Sequence, residues 1–307
     1  MKELVKETQS RLYAYITEHN IKQARAAREM NISPSALSQF LSGVYPGDNE
    51  EMAKKANQYL EMEAERAKLL HVPAFCPGLE NTDRILTAVR MAHICGYILP
   101  VFGPAGCGKS ASLRYYASQH NGVIYIEADA TMSSLRNILI AILEEVGTDY
   151  RHMSTAQMMR FLISALRDTG NLLIVDEAQQ LTEKTFDMLR GLNDKAGIGL
   201  VFAGTPDILR RMFGRLEEKF DPLYSRCGNF CELTNRRTVD DTAKLLSGYH
   251  MAKDCLQYLC KVSNKKGGLR LMLKQFNMAT TIADTLEREL SIPILEEASR
   301  RMNIIRS

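Results

Sequence analysis

The string GPAGCGKS at 103–110 constrains this chain more than any other segment. It follows the apolar run ILPVF and opens an apparent helix, so it reads as a strand–loop–helix junction. Glycines at 103, 106 and 108 let successive backbone N–H groups turn inward, and a helix N-terminus adds further unpaired donors. The resulting concavity fits a chain of phosphates, with Gly103, Pro104, Ala105, Gly106, Cys107, Gly108, Lys109, Ser110 and Ala111 as its wall. Lys109 is placed to reach the β- and γ-phosphates, and the Ser110 hydroxyl to ligate Mg²⁺. The reading is therefore ATP with Mg²⁺ on a phosphate-binding loop.

A second motif completes the first. In LLIVDEA (172–178) four apolar residues make a buried strand that ends in Asp176 and Glu177. Asp176 is placed to hold the Mg²⁺ through water, and Glu177 to polarise an attacking water. That pairing implies hydrolysis rather than binding alone. GLVFAGT (199–205) is a third strand with a polar end, where Thr205 can hydrogen-bond the lytic water. Arg226, in LYSRC, stands before the last core strand and is a candidate to reach the γ-phosphate of a neighbouring subunit, with Arg215 as its competitor. Arg270, in GGLRLML, begins a helix from which it can fold over the nucleotide in cis.

Around these motifs, short apolar strands alternate with amphipathic helices from about 81 to 231: YILPVFG, VIYIEAD, NLLIVDEA, GLVFAGT and FCEL, with helices from Lys109 and over 133–146, 154–168 and 182–194. Continuous apolar strands between helices argue for a parallel α/β sheet. The expected organisation is an α/β core at 81–233, an all-α domain at 1–70, a linker at 71–80 (HVPAFCPGLE) and an all-α lid at 234–307, broken at Gly267–Gly268 and at Pro293.

In the N-terminal part, helices are expected over 4–18, 21–30, 34–42 and from about Glu50 to Leu70. KQARAAREMNISPSALSQFLSG has the look of a helix-turn-helix. Ala27 is small where two helices cross, Asn31 tolerates the left-handed turn, and Ser33 with Pro34 caps the second helix. Ser35, Ser38 and Gln39 would point outward, where a groove-reading side chain belongs. A protein-interaction module fits the same pattern.

Charge and composition narrow the partners. The chain is 307 residues with a net charge of +3. Residues 1–70 carry 10 basic and 10 acidic side chains, 71–231 carry 16 and 17, and 232–307 carry 13 and 9. Excess attraction for polyanions thus sits at the C-terminus, with Lys261, Lys265, Lys266 and Lys274. Trp is absent, which disfavours base stacking. No apolar run approaches the ~18 residues of a membrane span, and no signal-peptide core opens the chain, so a cytoplasmic protein is expected. The 7 cysteines form no CxxC pair and read as buried apolar thiols in a reducing compartment. Cys107, at a variable loop position, is expected to obstruct ATP when alkylated.

With these residues in place, the chain resembles the AAA+ ATPases, and more narrowly the transposition B proteins of Mu-like phages and prophages. The resemblance rests on the helix-turn-helix followed by YPGDNE (45–50), the phosphate loop, IVDEA (174–178), GT (204–205), LYSR (223–226) and GLR (268–270). Thr205 departs from the Asn expected there, which touches the geometry of water positioning. The resemblance implies a largely sequence-independent duplex-DNA-binding ATPase that forms helical filaments with ATP, delivers target DNA to a cognate transposase and activates strand transfer. It gives Lys109, Ser110, Asp176, Glu177, Thr205, Arg226 and Arg270 the roles argued above. Phosphate contacts to DNA would come from Thr131, Ser133 and Arg136 in DATMSSLR, and from Arg151, with Ser35 and Gln39 from the helix-turn-helix. A nucleotide-switched transcription regulator and an AAA+ loader acting on protein partners are the rival readings.

Overall fold

The computed structural model describes residues 2–19, 21, 23–69, 75–213 and 230–302. It divides into two compact units, Met1–His71 and Val72–Ser307.

The first unit is four helices: α1 (Lys2–Glu18), α2 (Gln23–Glu29), α3 (Pro34–Leu41) and α4 (Asn49–Leu69). Leu12, Ala26, Ala27, Leu37, Phe40 and Ala56 meet in one apolar core. Between α2 and α3, Asn31 takes φ 54°, and Ser33 Oγ accepts from Ala36 N–H at 3.1 Å with Pro34 in the first turn. Ser35, Ser38 and Gln39 are exposed on α3, which carries no charged side chain. The string YPGDNE is a helix start. Asp48 accepts from Glu50 N–H at 2.8 Å and Glu51 N–H at 3.0 Å, and Gly47 lies so close to the Tyr45 ring that a Cβ there would come to 2.8 Å.

In the second unit α5 (Glu80–Cys95) leads into a five-stranded sheet: β1 (Ile98–Phe102), β2 (Val123–Glu127), β3 (Leu172–Asp176), β4 (Gly199–Gly204) and β5 (Cys231–Glu232). The order is β2-β3-β4-β1-β5 and every pairing is parallel. All residues of β1, β3 and β4 are buried, which is why their sequences are continuous apolar runs, whereas the edge strand β2 alternates. One face is covered by α5 and α6 (Lys109–Gln119). The other is covered by α7 (Leu135–Val146), α8 (Thr155–Leu166), α9 (Glu183–Ala196) and α10 (Asp207–Phe213).

The remaining helices, α11 (Val239–Leu245), α12 (Lys253–Ser263), α13 (Gly268–Thr285) and α14 (Ile292–Arg301), close on their own core of Leu245, Leu259, Met272, Phe276, Leu295 and Ala298. Leu79, from the segment expected to be linker, is buried in that core, and Glu80 is already helical. Pro293 differs from the sequence expectation too. It sits in the first turn of α14, where its missing N–H costs nothing, and the break lies before Ile292.

Candidate functional site

Because all five strands are parallel, their C-terminal ends share one edge, and the motif residues collect there. The loop 103–108 leaves β1 and turns into α6. Gly106 (φ 80°) and Gly108 (φ 102°) occupy backbone conformations that L residues rarely adopt. Gly108 is the N-cap of α6 and provides no side-chain cap, so the first-turn N–H groups have no intrahelical partner. Such a cradle fits a polyphosphate. Lys109 is 8% exposed, and its Nζ donates to Gly103 O at 2.8 Å and Pro104 O at 3.1 Å, carbonyls that phosphate oxygens would replace. Ser110 follows in the first turn of α6, half-buried, beside exposed Ala111.

Cys107 is 1% exposed and packs among Val101, Leu113 and Cys231, and its Sγ accepts from Lys109 Nζ at 3.6 Å. A thiol so buried resists alkylation while the protein is folded.

Asp176 ends β3 with 0% exposure. Its Oδ2 accepts from the Tyr125 hydroxyl at 2.8 Å and its Oδ1 from Glu177 N–H at 2.9 Å. Tyr125 reaches across from β2, held in turn by Arg114 Nε at 3.2 Å. Burial, and after it the charge of Asp176, raises the Tyr125 hydroxyl above its ordinary value. Each carboxylate oxygen retains a lone pair, so Asp176 with Ser110 fits a hard divalent cation such as Mg²⁺.

Glu177 has φ 52°, a left-handed conformation uncommon outside glycine, and leads into a 3₁₀ turn over Ala178–Gln180. Its carboxylate accepts from Gln179 Nε2. Thr205 follows β4, and its Oγ1 is buried with no partner among the described residues. The strand ends are also joined directly, since Gly103 N–H donates to Gly204 O at 3.3 Å.

The lid touches the phosphate loop through α13. Leu269 N–H donates to Gly106 O at 3.1 Å, and Arg270 stands exposed in the same first turn. Arg226 and its competitor Arg215 lie outside the described residues.

Among the residues expected to contact DNA, Thr131 and Ser133 belong to a turn that packs against the 3₁₀ turn after Glu177. Thr131 is exposed in a 3₁₀ turn, Ala130–Ser133, that Asp129 caps. Exposed Arg136 donates to Met153 O at 2.9 Å. Arg151 is exposed and paired with Asp149 at 2.9 Å, a bond that holds the Asp149 carboxyl down at about 2. Ser35 and Gln39 belong to the first unit.

Sequence reasoning missed four residues here: Tyr125, Gln179, Asn81 and Arg237. Asn81 Nδ2 donates to Thr234 O at 2.8 Å and Cys107 O at 3.3 Å. Arg237 is 9% exposed and donates to Cys107 O at 3.0 Å, while its Nε has no partner among the described residues. Desolvation lowers its guanidinium below the usual arginine value. The phenol interrupting VIYIE was a readable signal for Tyr125. Nothing local marks the other three.

Comparison with known proteins agrees with this geometry. Residues 96–213 match the AAA domain family. "Mu-like prophage FluMu DNA transposition protein B" of Haemophilus influenzae is 28% identical over 271 residues, covering 87% of this chain and 94% of that protein. "ATP-dependent target DNA activator B" of Escherichia phage Mu is 26% identical over 279 residues, 91% of this chain and 89% of that one. Among solved structures, the ADP form of the Aeropyrum pernix ORC2 protein superposes with a TM-score of 0.56 at 16% identity, over 75% of this chain and 71% of that one. Drosophila ORC bound to DNA gives 0.55 at 19% identity, over 78% and 65%. The sheet order and these likenesses make the second unit an AAA+ fold, and the chain a homologue, over most of its length, of the transposition B proteins of Mu-like phages and prophages.

Proposed function

We propose that this protein is an ATPase that binds duplex DNA with little regard to sequence when ATP is bound, self-associates on it as a helical filament and presents it as target to a cognate transposase. The observation that carries this reading is the meeting of the phosphate loop, Asp176, Glu177 and Thr205 at one sheet edge, in a chain similar to named target-DNA activators along most of its length.

In this reading the loop N–H groups take the phosphate oxygens, and Lys109 exchanges its loop carbonyls for the β- and γ-phosphates. Ser110 and Asp176 would hold Mg²⁺, which would supply positive charge beside the phosphates. Glu177 accepts a proton from the attacking water as the bond to the β-phosphate oxygen breaks, and the Thr205 hydroxyl orients that water. Arg226 of one subunit meets the γ-phosphate of its neighbour, and Arg270 relays nucleotide state to the lid. DNA phosphates are met by Thr131, Ser133, Arg136 and Arg151, by Ser35 and Gln39 of the first unit, and by the lysines of the lid. For Arg151 to take part it must leave Asp149, an exposed exchange that costs little.

The test is anisotropy of a labelled random-sequence duplex titrated with protein in ATP, in ADP and with Lys109→Ala. Cooperative binding with ATP alone, lost in the variant and falling steeply with salt, is the expected result. Equal binding in all three conditions removes the nucleotide-gated filament. Binding confined to one operator-like sequence favours a transcription regulator, and no DNA binding favours a protein-directed loader.

A further inference from the structure

Arg237 carries a positive charge into the interior beside the phosphate loop. It stands between β5 and α11, 9% exposed, where desolvation lowers its guanidinium. Among the described residues no carboxylate forms an ion pair with it. Asp241, the acid that acts on it through space, spends Oδ2 on the Thr238 N–H and hydroxyl, each at 3.0 Å. The backbone of Arg237 belongs to the lid. Asn264 Oδ1 accepts from Arg237 N–H at 2.7 Å, and Asn264 Nδ2 and the Cys260 thiol donate to Arg237 O at 3.1 and 3.4 Å. The side chain leaves the lid and ends on Cys107 O at 3.0 Å.

A buried cation without a paired anion destabilises a folded chain, and a neutral side chain of similar bulk usually removes that cost. The loop does not need the guanidinium to satisfy its carbonyl, because Asn81 Nδ2 already donates to Cys107 O at 3.3 Å. What the charge adds is polarisation. The peptide whose oxygen takes both donors is the Cys107–Gly108 bond, so its N–H belongs to Gly108, the N-cap of α6, in the loop that fits a polyphosphate. Donation to a peptide oxygen strengthens the N–H of the same peptide as a donor, and a charged donor does so most. A buried charge is also little screened by salt.

We propose that Arg237 is a positioning residue whose counter-ion is the nucleotide: from the lid it charges the phosphate loop through the Cys107–Gly108 peptide, and it favours a triphosphate over a diphosphate. This deepens the ATPase reading above and rests on it. The nucleotide-free protein carries the cost of the buried charge, and bound phosphates offset it.

The experiment uses the full chain as wild type, as Arg237→Met, which keeps bulk without charge, and as Arg237→Lys, which keeps charge. Affinities for fluorescent ATP and ADP analogues are read by titration, and nucleotide-free stability by urea unfolding. Arg237→Met should weaken the ATP analogue by about five- to fiftyfold, within the range of coupled sites, and the ADP analogue by a factor about three or more times smaller. Its nucleotide-free urea midpoint should match or exceed that of the wild type. Arg237→Lys should bind the ATP analogue within about threefold of wild type, because a single bond to a carbonyl does not need the planar fork of a guanidinium. A lower midpoint or a failure to fold in Arg237→Met overturns the proposal, since the arginine is then a structural seam. Equal weakening of both analogues, unchanged affinity, or a lysine variant no better than the methionine one overturns it as well. A wild type that binds neither analogue sinks the nucleotide reading itself, and the role of Arg237 with it.

Discussion

Gly106→Ala tests how the lid is fastened to the phosphate loop. Gly106 combines φ 80° with a position where a Cβ would strike Gly267 O and come within 3.4 Å of Gly268 Cα. Gly108 has φ 102° but nothing within 4 Å of its Cβ position, so it isolates backbone strain from collision. Strain costs each variant about 1–3 kcal/mol. Gly106→Ala must also move the α13 terminus, which costs about 1–3 kcal/mol as overpacking, and loosens the Leu269 N–H bond to Gly106 O, worth about 1 kcal/mol. The expected excess over Gly108→Ala is about 2–4 kcal/mol. With a urea slope of about 3 kcal/mol/M, that excess moves the midpoint down by about 0.7–1.3 M. Urea titration in nucleotide-free buffer, followed by circular dichroism, reads the shift, and hydrogen exchange over 268–273 should rise selectively in Gly106→Ala. If the two variants unfold at the same midpoint, with equal exchange in that segment, the lid is not seated on Gly106 and the reasoning fails.

Three further outcomes are expected. Tyr125→Phe removes the donor to Asp176 and should cost about 1–2 kcal/mol. Because the folded hydroxyl is raised, that stability is complete below the ordinary tyrosine value of about 10 and is lost as pH climbs through the folded value, so urea midpoints at rising alkaline pH should fall more steeply in wild type than in the variant. Maleimide should label exposed Cys95 before Cys107, which should stay unmodified until denaturant is added; peptide mass mapping showing equal rates would refute the buried thiol. Glu177→Gln should lower phosphate release by about 100-fold or more while analogue affinity changes less than about twofold, and loss of binding instead would assign Glu177 to the ground state.

Much of the architecture was legible because burial on both faces writes itself as unbroken apolar runs. LLIVD and GLVFAG are such runs, and both are buried throughout. Ser33 with Pro34 is likewise a local signal, since a cap acts over three residues. What escaped was set by partners far away in sequence. Cys107 is buried beside Lys109, and its carbonyl is met by Asn81 and Arg237 from the two flanks of the sheet domain in sequence. In DEAQQ nothing local separates Gln179 from Gln180; only the end of β4 distinguishes them. Pro293 misled because proline marks helix starts as readily as helix ends.

The seams that seal the phosphate loop have a consequence for how the protein is made. Asn81 reaches Thr234 across 153 residues, and Arg237 reaches Cys107 across 130. A ribosome emits the loop long before either seam can close, and at 5–20 residues per second the interval is roughly ten seconds. Until then the apolar sheet face beneath Cys107 lacks β5, its last parallel neighbour. The nascent domain thus exposes apolar surface during that interval, and the loop 103–108 gains its final seams only when Thr234 and Arg237 have emerged.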